Sequence, residues 1–161
     1  MTAGFSVRPA GMHEIAAVAG LFQEYAASLG VDLSYQGFDA ELAALPGAYA
    51  PPGGTLLVAA TSEGPFLGCV AVRPLTAPGE CEMKRLYVRP AARGTGAGVA
   101  LARAAIETAT NAGYQAMRLD TLGSMTSAQA LYRRLGFETT PPYYKSPIAG
   151  TIFMRKVLRA V

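Results

Sequence analysis

The sequence predicts a mixed α/β fold, a sheet flanked by helices, and three observations point there. Two apolar, β-branched runs, Thr55–Thr61 and Phe66–Arg73, flank the turn-forming Ser62–Pro65 and read as a hairpin. After a second turn around Ala77–Gly79, Cys81–Val88 reads as a third strand with no helix before it. Beyond Pro90 the pattern changes to helix, strand, helix, strand. Strands joined by turns run antiparallel and strands joined through helices cross over, so the order implies a mixed sheet in a layered architecture.

Each element has a local reason. Ser6–Ala10 is a short extended start, stopped by Pro9. Ile15, Ala19, Phe22, Ala26 and Leu29 recur at helical steps, and Gly30 ends that run. A short helix is expected over Asp39–Leu45 and a loop over Pro46–Gly54. Past the glycine-rich Arg93–Gly98, Val99, Ala102, Ile106 and Ala109 share one helix face, with Gly113 just beyond its end. Ala116–Leu122 reads as a strand. Thr126–Leu135 reads as a helix, with Thr126 and Gln129 matching a capping box, Gly136 at the stop and Phe137 packing back. Tyr143–Gly150 is a loop before a final strand, Ile152–Leu158. There is no internal repeat and no linker, so residues 1–161 are expected to form one domain.

Composition narrows the class. A chain of 161 residues buries roughly 70% of its unfolded surface and needs no metal or disulfide to hold it. Apolar residues are 51% and charged residues 16%, a globular balance. Cys69 and Cys81 make neither a disulfide framework nor a metal-ligand spacing, so no metal is expected and the thiols read as reduced, in the cytoplasm. Met1–Arg8 has no basic cluster leading into an apolar run, and no apolar stretch approaches the length of a membrane span. Charge is divided along the chain. Residues 1–82 carry two cations against eight acids, and residues 83–161 carry twelve against three. The basic half suits a polyphosphate and the acidic half a cation. Nucleic acid is not expected, since no dense Lys/Arg run with interleaved aromatics is present.

The most informative stretch is Arg89-Pro90-Ala91-Ala92-Arg93-Gly94-Thr95-Gly96-Ala97-Gly98, between a strand and a helix. Glycines admit positive φ and close approach, and a helix start behind them offers free N–H groups and the positive dipole end, together an anion site. A Walker loop fails, because Val99 follows Gly98 where Lys is needed. A dinucleotide fingerprint fails, because Val99 and Leu101 stand where its third glycine belongs. The pattern that fits is R-x-x-G-x-G, read as Arg93, Gly96 and Gly98. Some 33 residues on comes Ala130-Leu131-Tyr132-Arg133-Arg134-Leu135-Gly136-Phe137.

With these two motifs in this order, roughly Thr55 to Leu158 resembles the GNAT superfamily of N-acetyltransferases. The resemblance implies a single-domain acyl-CoA N-acyltransferase fold: a mostly antiparallel sheet of six or seven strands with about four helices. It implies acetyl-CoA as cosubstrate and an amine as acceptor. Arg93, Gly94, Thr95, Gly96, Ala97 and Gly98 would hold the pyrophosphate, with Lys84, Arg85 and Arg89 adding charge nearby. Leu86 and Val88 would hold the pantetheine arm, and an N–H near Leu86 or Tyr87 would polarise the thioester carbonyl. Tyr132 matches the family's general acid for the leaving thiolate. Glu82, eleven residues before Arg93, matches the spacing of a general base in some members, with Glu80 and Asp120 as weaker candidates. One position departs: many members carry Asn seven residues before the tyrosine, and here it is Met125, leaving Ser124, Thr126 or Ser127 for a polar contact.

His13 reads as structural, and the two cysteines as packing residues. The family's acceptor cleft maps onto Tyr25–Phe38 and Pro141–Pro147. These hold Tyr25, Tyr35, Tyr143 and Tyr144, with Glu24, Asp32, Asp39 and Glu41 near in sequence. Aromatic faces and carboxylates suit a cation, so a small cationic or amino-acid-like amine attacked in a ternary complex is expected. A protein lysine or N-terminal acetyltransferase and a non-catalytic acetyl-CoA-binding module are the alternatives. A homodimer is common in the family.

Overall fold

The structure, a computed structural model, describes residues 4–159. Seven strands form one sheet: β1 (Phe5–Pro9), β2 (Thr55–Thr61), β3 (Gly68–Pro74), β4 (Glu80–Val88), β5 (Ala116–Thr121), β6 (Glu138–Thr139) and β7 (Ile152–Val157). Their order in space is β1-β2-β3-β4-β5-β7-β6. Four α-helices accompany them: α1 (Ile15–Leu29), α2 (Phe38–Ala44), α3 (Ala97–Asn111) and α4 (Thr126–Arg134). Every neighbouring pair is antiparallel except β4 and β5, which the α3 crossover makes parallel. The mixed sheet and flanking helices are as the sequence implied. β6 was not anticipated, because two residues carry no readable alternation. Among the described residues no helix is long and apolar enough to cross a membrane.

Strand alternation sends side chains to two apolar layers. Leu57, Ala59, Val70, Val72, Met83, Met117 and Leu119 pack against Leu101, Ala102 and Ala105 of α3. Leu56, Val58, Cys69 and Ala71 pack on the opposite face with Val18, Leu21 and Phe22 of α1 and Phe38 of α2. Fully burying a Leu or Phe contributes about 1.5–3 kcal/mol, so both helix layers are tied to the same strands. The loop after α2 turns inward at Tyr49, whose ring meets Phe22 edge-on.

The capping box at the start of α4 is not formed. Met125 is the N-cap residue, and no side chain bonds the free amides. Gln129 is buried and spends its amide on the Leu122 and Gly123 carbonyls, at 2.9 and 3.2 Å. A glutamine drawn down onto the preceding turn cannot also reach back to the helix start.

Candidate active site

The parallel pair β4–β5 is joined only at its beginning, through Glu80↔Ala116, Cys81↔Met117 and Glu82↔Arg118. Both strands run on past this point, to Val88 and Thr121, without pairing. The sheet therefore forks. On the other side of β4, Arg89 N–H donates to the Leu67 carbonyl at 2.8 Å and Tyr87 stands opposite Cys69. By alternation, the peptide groups of Leu86 and Val88 then face the fork, while that of Tyr87 faces β3. Leu86, Leu122, Met125 and Tyr132 line the opening.

At the end of β4 the chain makes a 3-10 turn over Pro90–Ala92 and reaches the glycine loop. Gly94 and Gly96 have φ of +83° and +89°, which side-chain-bearing residues adopt only at a cost of about 1–2 kcal/mol. A Cβ at either would meet nothing within 4 Å, so conformation and not crowding calls for glycine there. Gly96 is the N-cap of α3 and offers no side chain to that helix's first amides, of which the Ala97 N–H meets Thr95 Oγ1 at 3.4 Å. The exposed Arg93 lies beside them, its Nε 3.3 Å from the Val88 carbonyl. The result is a positive-φ glycine turn with an exposed cation, six residues past the last residue of the β4 edge that borders the fork, chemistry suited to an anion.

Tyr132 of α4 closes the fork from below. It is buried, edge-on to Phe137, and still lines the opening. Burial, reinforced by Tyr25 and Asp120, raises its pKa above that of an ordinary phenol. It therefore stays protonated at neutral pH, a proton donor and not a base.

The far wall of the fork depends on an irregularity. β4 carries one residue more than β3 between the pairs Ala71↔Lys84 and Cys69↔Tyr87. The bulge falls at Arg85, whose φ is +61°. Lys84 and Arg85, adjacent in a strand, thus both point to the α1 side. Arg85 makes two hydrogen bonds to Glu41, each 2.9 Å, under the rings of Tyr25 and Phe38. The Gln36 Oε1 accepts from Arg85 at 2.8 Å and from Lys84 Nζ at 3.0 Å. Its Nε2 donates to Tyr35 Oη at 2.9 Å and to Asp120 at 3.4 Å. The Tyr144 hydroxyl donates to Asp120, and the Tyr143 hydroxyl to Glu82. Both rings stack edge-on against Phe153.

Comparison with known proteins meets this geometry. The profile of the acetyltransferase (GNAT) family matches residues 15–137. The chain belongs to the GNAT family. It is accordingly an acetyl-CoA-dependent acyltransferase. A Schizosaccharomyces pombe protein described as an uncharacterized N-acetyltransferase is 49% identical over 135 residues, 84% of this chain and 83% of that one. A GNAT acetyltransferase of Staphylococcus aureus shares the fold at a TM-score of 0.80 and 16% identity, covering 96% of this chain and 99% of the other. A phosphinothricin acetyltransferase of Sinorhizobium meliloti, solved with acetyl-CoA, superposes at 0.73 and 22% identity, over 97% and 89%.

Within this GNAT frame several sequence expectations change. Only Arg93 of the four cations stays beside the glycine loop. The bulge turns Lys84 and Arg85 to the other face, and Arg89 is held by Glu24 through two hydrogen bonds of 3.0 and 2.8 Å. Tyr87 is not a fork residue: its peptide faces β3 and its ring packs edge-on against Tyr25. Glu82, expected as a free base, is paired with Arg73 at 2.8 Å. Gly98 has an ordinary φ, and a Cβ there would make only normal contact with Val88 at 3.5 Å. The four acids expected around a cation are elsewhere: Glu24 on Arg89, Glu41 on Arg85, Asp32 on Ser34, and Asp39 exposed. Tyr25 already offers its face to Arg85. Asp120 lines the opening itself, and the buried Glu82 lines the adjoining depression with Tyr143 and Tyr144. The lopsided charge along the chain is neutralised in part in space: among the described residues, four ion pairs join a cation after residue 82 to an acid before 83, two of them sharing Glu80. Gln36 and Thr121 had no signal in the sequence.

Proposed function

We propose that this GNAT enzyme acetylates the amine of a small cationic or amino-acid-like molecule, by direct attack within a ternary complex. The observation that carries the reading is the fork itself. One opening is bordered by the free peptide edge of Leu86 and the phenol of Tyr132 on one side, and by Tyr35, Lys84 and Asp120 on the other. An acyl-cysteine relay has no support. Cys69 and Cys81 are buried, and burial pushes the Cys81 thiol up to about 12 and Cys69 higher still.

The residues present fit acetyl-CoA: a positive-φ glycine cradle at a helix start for the pyrophosphate, and an unpaired strand edge for the amide-rich arm. When bound, it supplies the activated acetyl carbonyl. Arg93 and the amides of Gly94–Gly98 would bind its phosphates, and the peptide groups of Leu86 and Val88 its pantetheine. The Leu86 N–H would stabilise the negative charge developing on the carbonyl oxygen. An amine with a pKa near 10 arrives protonated and must lose a proton first. Glu82, directly or through Tyr143 and water, and Asp120 on the open wall are the groups that would pass it to solvent. The N–C bond forms, the C–S bond breaks, and Tyr132 gives its proton to the sulfur. The second ammonium proton, released as the amide forms, returns through water to Tyr132.

Free-thiol release from acetyl-CoA, followed across small amines, amino acids and peptides, tests the reading. Turnover with small amines is expected. Turnover confined to peptides would replace the acceptor by a protein, and saturable acetyl-CoA binding with no turnover on any acceptor would leave a binding module. The two buried, free thiols support a reducing compartment, which we take to be the cytoplasm.

A further inference from the structure

We propose that the acceptor is a zwitterion, a small amino acid whose carboxylate docks on the Lys84 ammonium while its amino group faces Asp120. The inference rests on the acetyl-transfer reading above and narrows it. Lys84 and Asp120 each stand two residues beyond the last β4–β5 pair, Glu82↔Arg118, so they face one another across the mouth of the fork. Both line the same opening as Tyr132.

The charges around this opening are not treated alike. Arg85 has Glu41 and Arg73 has Glu82. Among the described residues no carboxylate comes within 4.0 Å of the Lys84 ammonium, and no cation within 4.0 Å of the Asp120 carboxylate. Lys84 is only 6% exposed, and the Gln36 oxygen takes one of its three donors. A buried ammonium with a neutral partner alone is costly to hold, and burial accordingly lowers its pKa. Gln36 keeps the two charges one side-chain amide apart: its oxygen is filled by Lys84 and Arg85, its nitrogen by Asp120 and Tyr35. They cannot collapse onto each other, and a ligand with an ammonium and a carboxylate a few bonds apart satisfies both. A further polar atom lies on this wall: Thr121 Oγ1 is buried, lines the opening and has no hydrogen-bond partner among the described residues. A purely cationic amine could donate to Thr121 Oγ1 but would leave the Lys84 ammonium unanswered.

The test compares amino acids with their decarboxylated counterparts, leucine with 3-methylbutylamine and phenylalanine with 2-phenylethylamine, in thiol release by the wild type and Lys84→Met. The amino acid of each pair is expected to have the higher kcat/KM. Lys84→Met should reduce that preference on the order of 10- to 100-fold, mainly through KM, as befits loss of a charged hydrogen bond. Lys84→Arg should restore part of it. Thermal melting separates binding from structure: replacing an ammonium held only by an amide should leave Tm level or raise it, whereas a structural lysine would lower it. Equal turnover of the two members of each pair, or an equal loss on both in Lys84→Met, overturns the zwitterion and leaves acetyl transfer standing. Should no acceptor release thiol, the acetyl-transfer reading falls, and calorimetric titration of leucine and phenylalanine onto the coenzyme A-loaded protein decides the site alone. Binding abolished by Lys84→Met supports it, and no binding to the wild type overturns it.

Discussion

The two sides of the fork are built from different materials. The side we propose for the coenzyme is main chain: positive-φ glycines, the start of α3, and the edge of Leu86 and Val88 that β5 does not pair. The acceptor side is side chains from four separated segments, joined through Gln36, Lys84, Asp120 and Tyr144. A main-chain site needs few residue types and fixed short spacings. A side-chain site can be assembled from any positions that the fold brings together, and it can be re-specified without disturbing its neighbour.

Substitutions should therefore split into two groups. Tyr132→Phe sits where the sides meet and should have the largest effect, a fall in kcat of roughly 10²- to 10⁴-fold. The calorimetric Kd for acetyl-CoA should hardly change. An unaltered kcat would remove Tyr132 from the chemistry. Arg85→Met should be felt as stability on the acceptor side. It strands Glu41 beside a buried site and should cost about 3–5 kcal/mol in urea unfolding, with most of that recovered on adding Glu41→Leu. Full additivity of the two would mean that the pair is not coupled. Gly96→Ala acts on the other side alone. It should cost about 1–2 kcal/mol and weaken acetyl-CoA, without changing which acceptor is preferred. A changed acceptor preference would mean that the two sides are not independent.

The smallest effect lies outside both sides and serves as a control. Hydrogen bonds from Arg8 and from the Gly11 N–H hold the Glu14 carboxyl at about 2, against an ordinary 4.5. The folded value is the lower one, so this contribution is complete above the unfolded value and fades as pH falls toward 2. Glu14→Gln should flatten that part of an acid-unfolding curve slightly and leave kcat alone. An unchanged acid limb would mean that this surface pair adds nothing.

The same division explains what the sequence disclosed. Strands β2 to β5 and helices α1 and α3 were legible because each is a local periodicity closed by Gly or Pro. Arg93–Gly98 was legible because the cradle is contiguous. The destination of Lys84 and Arg85 was not, since alternation assigns neighbours to opposite faces and nothing in M-K-R-L announces a bulge. For Tyr143 and Tyr144 the sequence drew attention to the rings and not to the hydroxyls. The Tyr143 ring does face a cation, Arg118, while the two hydroxyls donate to Glu82 and Asp120, 61 and 24 positions away in sequence. Gln36 belongs to a 3-10 turn after α1 and carries no periodicity at all.

A strand normally has a single phase: insert or remove one residue and every later side chain changes sides. The extra residue at Arg85 absorbs such a shift within β4, so that Glu80–Lys84 and Leu86–Val88 keep independent phases. One irregular residue thus lets a single strand offer charged side chains to the α1 side before it and a bare peptide edge to the fork after it.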